Sequence, residues 1–484
     1  MPRIVVVILA LAVGSLSAFS LPLFVQASDD LWPEWIRLTD SFPLPPGIEV
    51  FHVQPGTSPS GSLIVLSLGD TGKVVGTMPM VPTSRLGEER RSATQGDVSR
   101  GKVQLLPLCS VSLPTVALPL DGLFPDQAGY PLSRKVMLAL DTPDPLLQAW
   151  YTSLEAPADP GAGAARAIAW IEAVGDIMPA RGVDEELLAG GGLERVFGDT
   201  LALLRGSDLL LGNLESSTAT RGQPQDKSYT FRFRGEAVRK LREAGFSYLS
   251  LANNHTFDFG ADGFLQTLDT LSRWGITTSG AGSNEEEASH PAVDRIGSQE
   301  IRILSFGAFP VDRTGFDGRV SERAGSAKPG ILWLDEEGLA EAARAFAVTN
   351  GGAPVFTIAF VHGGEEWRTT PTADQQRLYR ALVQSGANLV LGAHPHVLEG
   401  MEAVDGGLIA YSLGNFLFPG MEGTPGGQDS VILRLGIFQG KIRYLQASSV
   451  RLRGRTVRLA ADDSAWKTLM SRTRALATTV TSGD

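Results

Sequence analysis

Cysteine and histidine are scarce in this chain of 484 residues, which has one cysteine and six histidines. Because Cys109 has no second cysteine to pair with, an internal disulfide framework is excluded, and so is a zinc site built on several thiolates. Any metal must therefore be held by histidine, aspartate, glutamate or asparagine. Positive charge is also in short supply, with a formal net charge of -11. Since nucleic-acid binding depends on clustered lysine and arginine, we expect no nucleic-acid partner.

The first residues form the longest apolar run of the chain. Arg3 is followed by an apolar stretch from Ile4 to Val25, and the small residues around Ala27 suit cleavage of a signal peptide after that residue. The same run approaches the roughly 20 apolar residues that cross a bilayer. We therefore expect an exported, periplasmic or otherwise extracytoplasmic protein, either secreted after cleavage or anchored in the membrane through residues 4–25.

The rest of the chain divides by composition. Residues 28–165 are rich in proline, glycine and serine with short β-like runs, which predicts a β-rich accessory domain. Over residues 166–450, apolar strands alternate with polar loops and amphipathic helices, a pattern typical of a layered α/β domain. We treat residues 1–27 as signal peptide or anchor and residues 451–484 as a C-terminal extension with a helix from Asp463 to about Ala477.

Polar side chains follow five of the apolar strands at the point where each strand ends. In open α/β sheets the carboxyl ends of the strands form the ligand crevice, so we expect these side chains to meet there. They are Asp176, Asn213, Glu215, Asn253, Asn254, His255, Asp258, His362, His394 and His396.

The stretch LVLGAHPHVLEG places His394 and His396 on either side of Pro395. On an extended segment, residues two apart share a face, and proline stiffens the backbone between them. Imidazole nitrogens combined with carboxylate and amide oxygens suit Zn, Mn or Fe. One such set could hold two ions about 3.5–4 Å apart that share a carboxylate and generate a hydroxide nucleophile.

Some of these residues also suit structural roles. Asn253 is interpreted as a cap of the helix expected near Phe259, whereas Asn254 is interpreted as a metal ligand and Asp258 as both a cap and a partner of His255. A lone buried histidine such as His362 is more often a hydrogen-bonded interior residue, but its position at a strand end favours a ligand.

Six blocks of the sequence, in order, resemble those of the CapA family of bacterial capsule-synthesis proteins: AVGDIMPARGV, GNLESS, LANNHTFDFGADGFLQTLDTL, GITTSGAG, HGGEEW and LGAHPHVLEGMEAVDGGLIAYSLGNFLF. The resemblance spans about residues 168–420. The CapA family is associated with poly-γ-glutamate capsule assembly and has the calcineurin-like metallophosphoesterase fold. It implies an α/β protein with a layered β-sandwich flanked by helices, preceded by a smaller β-rich domain.

The resemblance also implies residue roles. One divalent ion would be held by Asp176, Glu215 and His396, and a second by Glu215, Asn254, His362 and His394, with Glu215 bridging. His255 paired with Asp258 would be catalytic. Arg181 and Glu366 would contact substrate.

The chain departs from the metallophosphoesterase pattern at Met178, where a histidine is usual, and at Glu215, where an aspartate is usual. Two hypotheses follow. The first is an exported metal-dependent hydrolase or transferase that acts on a phosphoester or on an envelope polymer linkage. The second is a non-catalytic, membrane-associated assembly factor that binds an anionic polymer or other capsule-synthesis proteins.

Overall fold

The computed structural model describes residues 21–154, 168–347 and 355–481, apart from residues 47, 58, 60, 61, 69, 128 and 298. The chain divides into two compact units. The smaller unit comprises Met1–Met78 and Ser133–Gly163, and the larger comprises Pro79–Leu132 and Ala164–Asp484.

The described residues form strands that we number in chain order. They are β1 (Leu21–Gln26), β2 (Ile48–Val53), β3 (Ser62–Leu68), β4 (Lys73–Arg85), β5 (Gln104–Pro107), β6 (Thr115–Ala117), β7 (Ser133–Asp141), β8 (Ala169–Ile177), β9 (Leu209–Leu214), β10 (Tyr248–Ser250), β11 (Ala281–Gly282), β12 (Ala292–Ile296), β13 (Gln299–Ala308), β14 (Gly330–Ile331), β15 (Val355–Gly363), β16 (Leu389–Ala393), β17 (Met401–Val404), β18 (Gly407–Ala410), β19 (Asn415–Leu417), β20 (Asp429–Phe438), β21 (Lys441–Arg453) and β22 (Thr456–Leu459).

The helices follow local signals in the sequence. Thr372 and Gln375 form a capping box that starts Ala373–Gln384, and Gly245, with φ of 118°, ends Glu236–Ala244. The α-helices are Trp32–Ser41, Gln95–Ser99, Pro145–Ser153, Val183–Leu188, Gly192–Phe197, Leu201–Leu204, Glu236–Ala244, Gly260–Arg273, Glu285–Ser289, Gly318–Ser321, Glu336–Ala347, Ala373–Gln384 and Ser464–Thr481, and two 3-10 turns are Leu108–Ser110 and Gly198–Thr200.

The smaller unit is built on a sheet in which β1 lies between β2 and β3. β1 pairs in parallel with both neighbours, and β3 pairs antiparallel with β7. Leu23 and Val25 of β1 are fully buried. The predicted segment 1–27 therefore contributes an inner strand, while residues 1–20 lie outside the described residues. Cleavage after Ala27 would remove β1 from this sheet, and both cleavage and anchoring stay predictions.

The predicted accessory domain 28–165 is not a single unit, because residues 79–132 belong to the larger one. β6 pairs in parallel with β21, and the Arg443 guanidinium donates to the carbonyl of Val111. The predicted C-terminal extension 451–484 also belongs to the larger unit. Trp466 and Leu469 of its helix are buried in the core between the sheets.

Two sheets pack face to face in the larger unit. One contains β10, β9, β8, β20 and β21 in that order, and the other contains β12, β13, β15, β16, β18 and β17. Alternate residues of each strand fill the shared core, as Ile171, Leu211, Phe360 and Leu391 do. Helices cover the outer face of each sheet. The predicted α/β class, with a layered sandwich flanked by helices, is confirmed.

The parallel strands decide where the site lies. β8, β9 and β10 run parallel to one another in the first sheet, as do β13, β15, β16 and β18 in the second. Their carboxyl ends meet along one edge of the sandwich, which is where ligands bind in such sheets.

Among the described residues, no helix has both the length and the apolarity that crossing a membrane requires.

Candidate metal centre

An irregularity in β8 turns Asp176 toward the inside of the sandwich. Ala173 lies opposite Leu211 of β9, whereas Asp176 lies opposite Asn213, so β8 carries one extra residue. This bulge reverses the alternation and places Asp176 on the same inner face as Ala173. Gly175 allows it, because a Cβ there would lie 1.8 Å from the carbonyl oxygen of Gly414.

The second sheet delivers the histidines. His362 lies near the end of β15 on the face that carries Phe360, and His394 follows directly after β16. The prediction of an extended His-x-His segment is wrong, since φ is 99° at His394 and 59° at His396. The segment turns, and the two rings lie 6.1 Å apart with an interplanar angle of 46°. Each histidine therefore joins a different group of side chains.

Glu215 lies at the centre of the site. Its side chain is fully buried, and neither carboxylate oxygen has a hydrogen-bond partner among the described residues. Oε1 lies 3.8 Å from Nε2 of His362, 3.7 Å from Nε2 of His396 and 3.9 Å from Nε2 of His255. A buried carboxylate that is left unpaired in this way needs a cation or a proton.

The first group of donor atoms comes from Glu215, His362, His394 and Asn254. One ligand atom from each of the first three lies within 4.8 Å of the others. Nε2 of His362 lies 3.1 Å from Nδ1 of His394 and 2.8 Å from Oδ1 of Asn254. Ligands about 2.0–2.2 Å from one ion are separated by roughly 3.0–3.5 Å, so these atoms fit a single divalent ion.

The second group contains Asp176, Glu215 and His396, which also offer ligand atoms within 4.8 Å of one another. Nδ1 of His396 lies 3.3 Å from Oδ2 of Asp176 and 2.8 Å from Oδ1 of Asn415. Met178 is fully buried in the hydrophobic core behind the sheet and contributes no ligand. The second group is therefore one ligand smaller than the first.

Burial sets the protonation of these groups. It raises the pKa of Glu215 well above its usual value, and the charge of Asp176 adds to this. It lowers the pKa of His362 well below its usual value and that of His394 to about 3. Burial alone would lower the pKa of His396, but the hydrogen bond and charge of Asp176 outweigh it and raise that pKa. The neutral imidazoles of His362 and His394 beside the unpaired carboxylate of Glu215 suit a cation, so this buried cluster can hold a metal ion.

His255 faces the cluster on a chain of hydrogen bonds. Its Nδ1 lies 2.8 Å from Oδ2 of Asp258, and that carboxylate also accepts from the Lys227 ammonium at 2.7 Å and from the Phe231 N–H at 2.6 Å. Lys227 also donates to the carbonyl of Asn254. Burial lowers the pKa of His255, while Asp258 opposes the shift. Asp258 thus orients the ring with its Nε2 toward Glu215.

The predicted capping roles are wrong. The helix Gly260–Arg273 has Phe259 at its N-cap and no side-chain capping bond. Asn253 instead donates to Oδ1 of Asn213 at 3.0 Å and accepts from the N–H of His255 at 3.0 Å. Asn253 and Asn213 therefore support the residues of the site through hydrogen bonds.

Three supporting residues had no predicted role. The amide of Asn213 lies 2.8 Å from Oδ1 of Asp176 and 3.0 Å from Nδ1 of His362. Asn415 contacts His396, and Lys227 contacts Asp258. Asn213 stands at a strand end, so its position in the sequence indicated a place in the site. Lys227 lies in a polar loop, where the sequence gives no indication of such a role.

A cleft of about 530 Å³ opens onto the cluster. Asn254, His255 and His394 lie on its wall, and Glu366 lines it as an exposed side chain. Arg181 does not line the cleft. It donates to the carbonyl of Pro419 at 2.8 Å and lies over the Phe231 ring at 4.8 Å. Of the two predicted substrate contacts, only Glu366 therefore reaches the cleft directly.

Comparison with known families agrees with the blocks in the sequence. The family model described as "Bacterial capsule synthesis protein PGA_cap" matches residues 171–420. The chain belongs to this family. The capsule biosynthesis protein CapA of Bacillus anthracis is 31% identical over 250 residues, covering 51% of this chain and 58% of that protein. The PGA biosynthesis protein CapA of Bacillus subtilis (strain 168) is 31% identical over 254 residues, covering 51% and 62%.

A probable polyglutamine synthesis accessory protein of Mycobacterium tuberculosis (strain CDC 1551 / Oshkosh) is 26% identical over 286 residues, covering 56% of this chain and 73% of that protein. The chain thus spans less than two thirds of the two CapA proteins. The PGA_cap match begins in β8 and ends after β19, so it includes every residue of both donor groups. The resemblance to the CapA family is confirmed.

Proposed function

We propose that this PGA_cap protein is an exported, metal-dependent hydrolase or transferase of capsule-type polymer biosynthesis. Its substrate would be a phosphoester or a linkage of an envelope polymer of the poly-γ-glutamate type. The observation that carries the proposal is Glu215, whose buried and unpartnered carboxylate lies within 3.9 Å of three imidazoles. The polymer is inferred from the names of the relatives.

The donor set favours Mn, Fe or Zn, since it offers imidazole, carboxylate and amide ligands and no thiolate. One or two such ions, when bound, would activate water and stabilise an oxyanion. Glu215 lies where it can bridge two positions, and Asp176 and Asn254 each belong to one position only. Buried strand ends and the Asn213 amide hold these ligands in place before any ion arrives.

His255 would take a proton on Nε2 from the attacking water and pass it to the leaving group. Asp258 is an acceptor, so it holds the proton of His255 on Nδ1 and leaves Nε2 facing Glu215 and the cleft. The Lys227 ammonium and the Phe231 N–H both donate to Asp258 and fix the position of its carboxylate. This arrangement gives an imidazole of defined tautomer at the edge of the cluster, as general acid–base catalysis requires.

The test is metal content by elemental analysis of protein purified without chelator. Wild type is expected to carry one or two equivalents of a transition metal, and the double variant His394→Ala/His396→Ala is expected to lose them. His290→Ala is the matched control, because His290 is exposed and bonds only locally to the carbonyl of Glu286. Wild type without metal, or a double variant that keeps it, would overturn the metal centre.

Met178 favours a second candidate. Its burial in the core leaves the smaller donor group without the histidine usual in metallophosphoesterases, and one relative is named an accessory protein. A non-catalytic assembly factor would keep the fold and bind an anionic polymer or other capsule-synthesis proteins. Capsule production that survives both His255→Ala and Asp176→Ala, but not deletion of the gene, would support this candidate over the enzyme.

A further inference from the structure

Trp367 has an unusual backbone conformation. Its φ is 65°, in the left-handed region that bulky side chains rarely adopt. Its N–H donates to the carbonyl of Pro395 at 2.8 Å, between the candidate ligands His394 and His396. Strain of this kind persists only where the surrounding structure enforces it, and it concentrates at functional sites.

The strained backbone places the indole beside the cluster. The ring centroids of Trp367 and His396 are 5.2 Å apart with an interplanar angle of 33°. Trp367 is 37% exposed and lines the cleft together with Asn254 and His255. One part of the indole therefore covers a candidate ligand, and another part is open to whatever enters the cleft.

Tyr229 is a second exposed aromatic residue of the same cleft, and the residue is 65% exposed. Its ring stacks on Phe231 at 6.4 Å, and Phe231 in turn lies 4.3 Å from the ring of His255. The neighbouring Ser228 hydroxyl donates to Asp312 at 3.1 Å and ties this loop to the one that carries Asp312. Tyr229 thus contacts the candidate acid–base residue His255 through Phe231, whereas Trp367 contacts the candidate ligand His396 directly.

The cleft is larger than a phosphate group needs. A volume of about 530 Å³ lies in the range of roughly 300–1,000 Å³ that accommodates ligands of several ring or amide units. Aromatic faces left open in such a cleft gain by stacking on flat surfaces of a ligand. Amide planes and sugar rings both offer such surfaces.

We propose that Trp367 and Tyr229 are specificity-determining residues that stack on the planar units of an extended chain next to the metal centre. This rests on the proposed function for the reaction itself, and it adds the substrate class: a chain of several amide or sugar units, in place of a small phosphomonoester. The left-handed backbone at Trp367 keeps the indole over His396.

The backbone strain at Trp367 can be tested by thermal unfolding, without an activity assay. Trp367→Gly and Trp367→Ala both remove the ring, but only glycine adopts this φ freely. The glycine variant should therefore unfold at a temperature higher by roughly 1–4 °C than the alanine variant. At Arg368, an exposed neighbour without positive φ, the same pair should show the opposite order. A Trp367→Gly variant no more stable than Trp367→Ala would overturn the strain argument.

Stacking is tested by binding to metal-loaded protein. The probes are γ-glutamyl oligomers of increasing length, cello-oligosaccharides of increasing length, which contain no amide, and p-nitrophenyl phosphate. Wild type should bind one oligomer series more tightly as length increases. Trp367→Ala and Tyr229→Ala should each weaken that binding by about 2- to 12-fold, the range of one aromatic stacking contact, whereas Trp367→Phe and Tyr229→Phe should retain most of it.

The outcomes separate this proposal from the proposed function. Length-dependent binding without turnover of any probe would contradict the hydrolase and support stacking. Turnover of p-nitrophenyl phosphate with no length-dependent binding of either oligomer series would support a hydrolase and overturn stacking. Alanine variants that bind the oligomers as wild type does would also overturn it. The series that responds identifies amide planes or sugar rings as the partner.

Discussion

Replacing Glu215 by glutamine should have opposite effects on stability in the absence and presence of metal. Without metal, wild type buries a carboxyl group whose two oxygens have no hydrogen-bond partner among the described residues, and burial raises its pKa well above the usual value. Glutamine has nearly the same shape and carries no charge. The Glu215→Gln variant should therefore be the more stable protein when no metal is bound.

The magnitudes follow from the burial of Glu215. A buried polar group without a partner costs about 1–3 kcal/mol, and a charged one costs more. The glutamine amide would also be unpartnered at this position, so the metal-free variant should gain only the difference between the two costs, on the order of 1 kcal/mol or more. With metal the order reverses. One ion at 100 times its dissociation constant stabilises the protein that binds it by about 2.7 kcal/mol. Glu215 belongs to both donor groups, so the variant should lose this stabilisation at both positions.

The assay is chemical denaturation of both proteins, once with chelator and once with Mn or Zn in excess. Glu322→Gln is the matched control, because Glu322 is also fully buried with both oxygens unpartnered among the described residues and belongs to neither donor group. It should be more stable than wild type in chelator and respond to metal as wild type does. The reasoning is refuted if Glu215→Gln is less stable than wild type in chelator while Glu322→Gln gains, or if metal stabilises Glu215→Gln fully.

Two further predictions concern parts of the chain away from the cluster. Burial raises the pKa of Glu399 to about 8 from 4.5, so the folded protein binds the extra proton and loses about 4–5 kcal/mol of stability as pH rises from about 4.5 to 8. In urea denaturation, the free energy of unfolding of wild type should therefore fall steadily relative to that of Glu399→Gln from pH 5 to pH 8. A difference between the two proteins that stays constant over this range would contradict the prediction. In a chain that begins at Leu21, the smaller unit should stay resistant to proteolysis. A chain that begins at Ser28 lacks β1, so its smaller unit should be degraded more readily. Exported protein whose first residue is Ser28 would show that β1 is dispensable.

Much of the site could be predicted because its residues follow strands directly. Asp176, Glu215, His362 and His394 each come within two residues of a strand end, and the strands are apolar enough to recognise. Parallel strands then bring these ends to one edge, so local patterns are enough to collect them. The family blocks added the division into two donor groups, and the structure places the same residues together.

The rest depends on contacts between distant parts of the chain. The pairing of β6 with β21 joins segments more than 300 residues apart, so composition alone placed residues 79–132 in the wrong unit. Lys227 matters only because the loop that carries it folds onto Asp258. In the sequence, Met178 occupies a position where a ligand histidine is usual. The fold shows why it is no ligand, because its side chain is buried in the core behind the sheet.

Departures from regular geometry, rather than the regular strands, set the final positions of the ligands. Asp176 reaches the inner face only through the bulge in β8, and His394 and His396 reach different donor groups only because the backbone turns at positive φ. Periodicity cannot reveal such features, because each reverses or interrupts the period. They also make the two positions unequal. The group with Asn254 offers four donors from the chain and the group with Asp176 offers three, so any ion that binds alone should occupy the former.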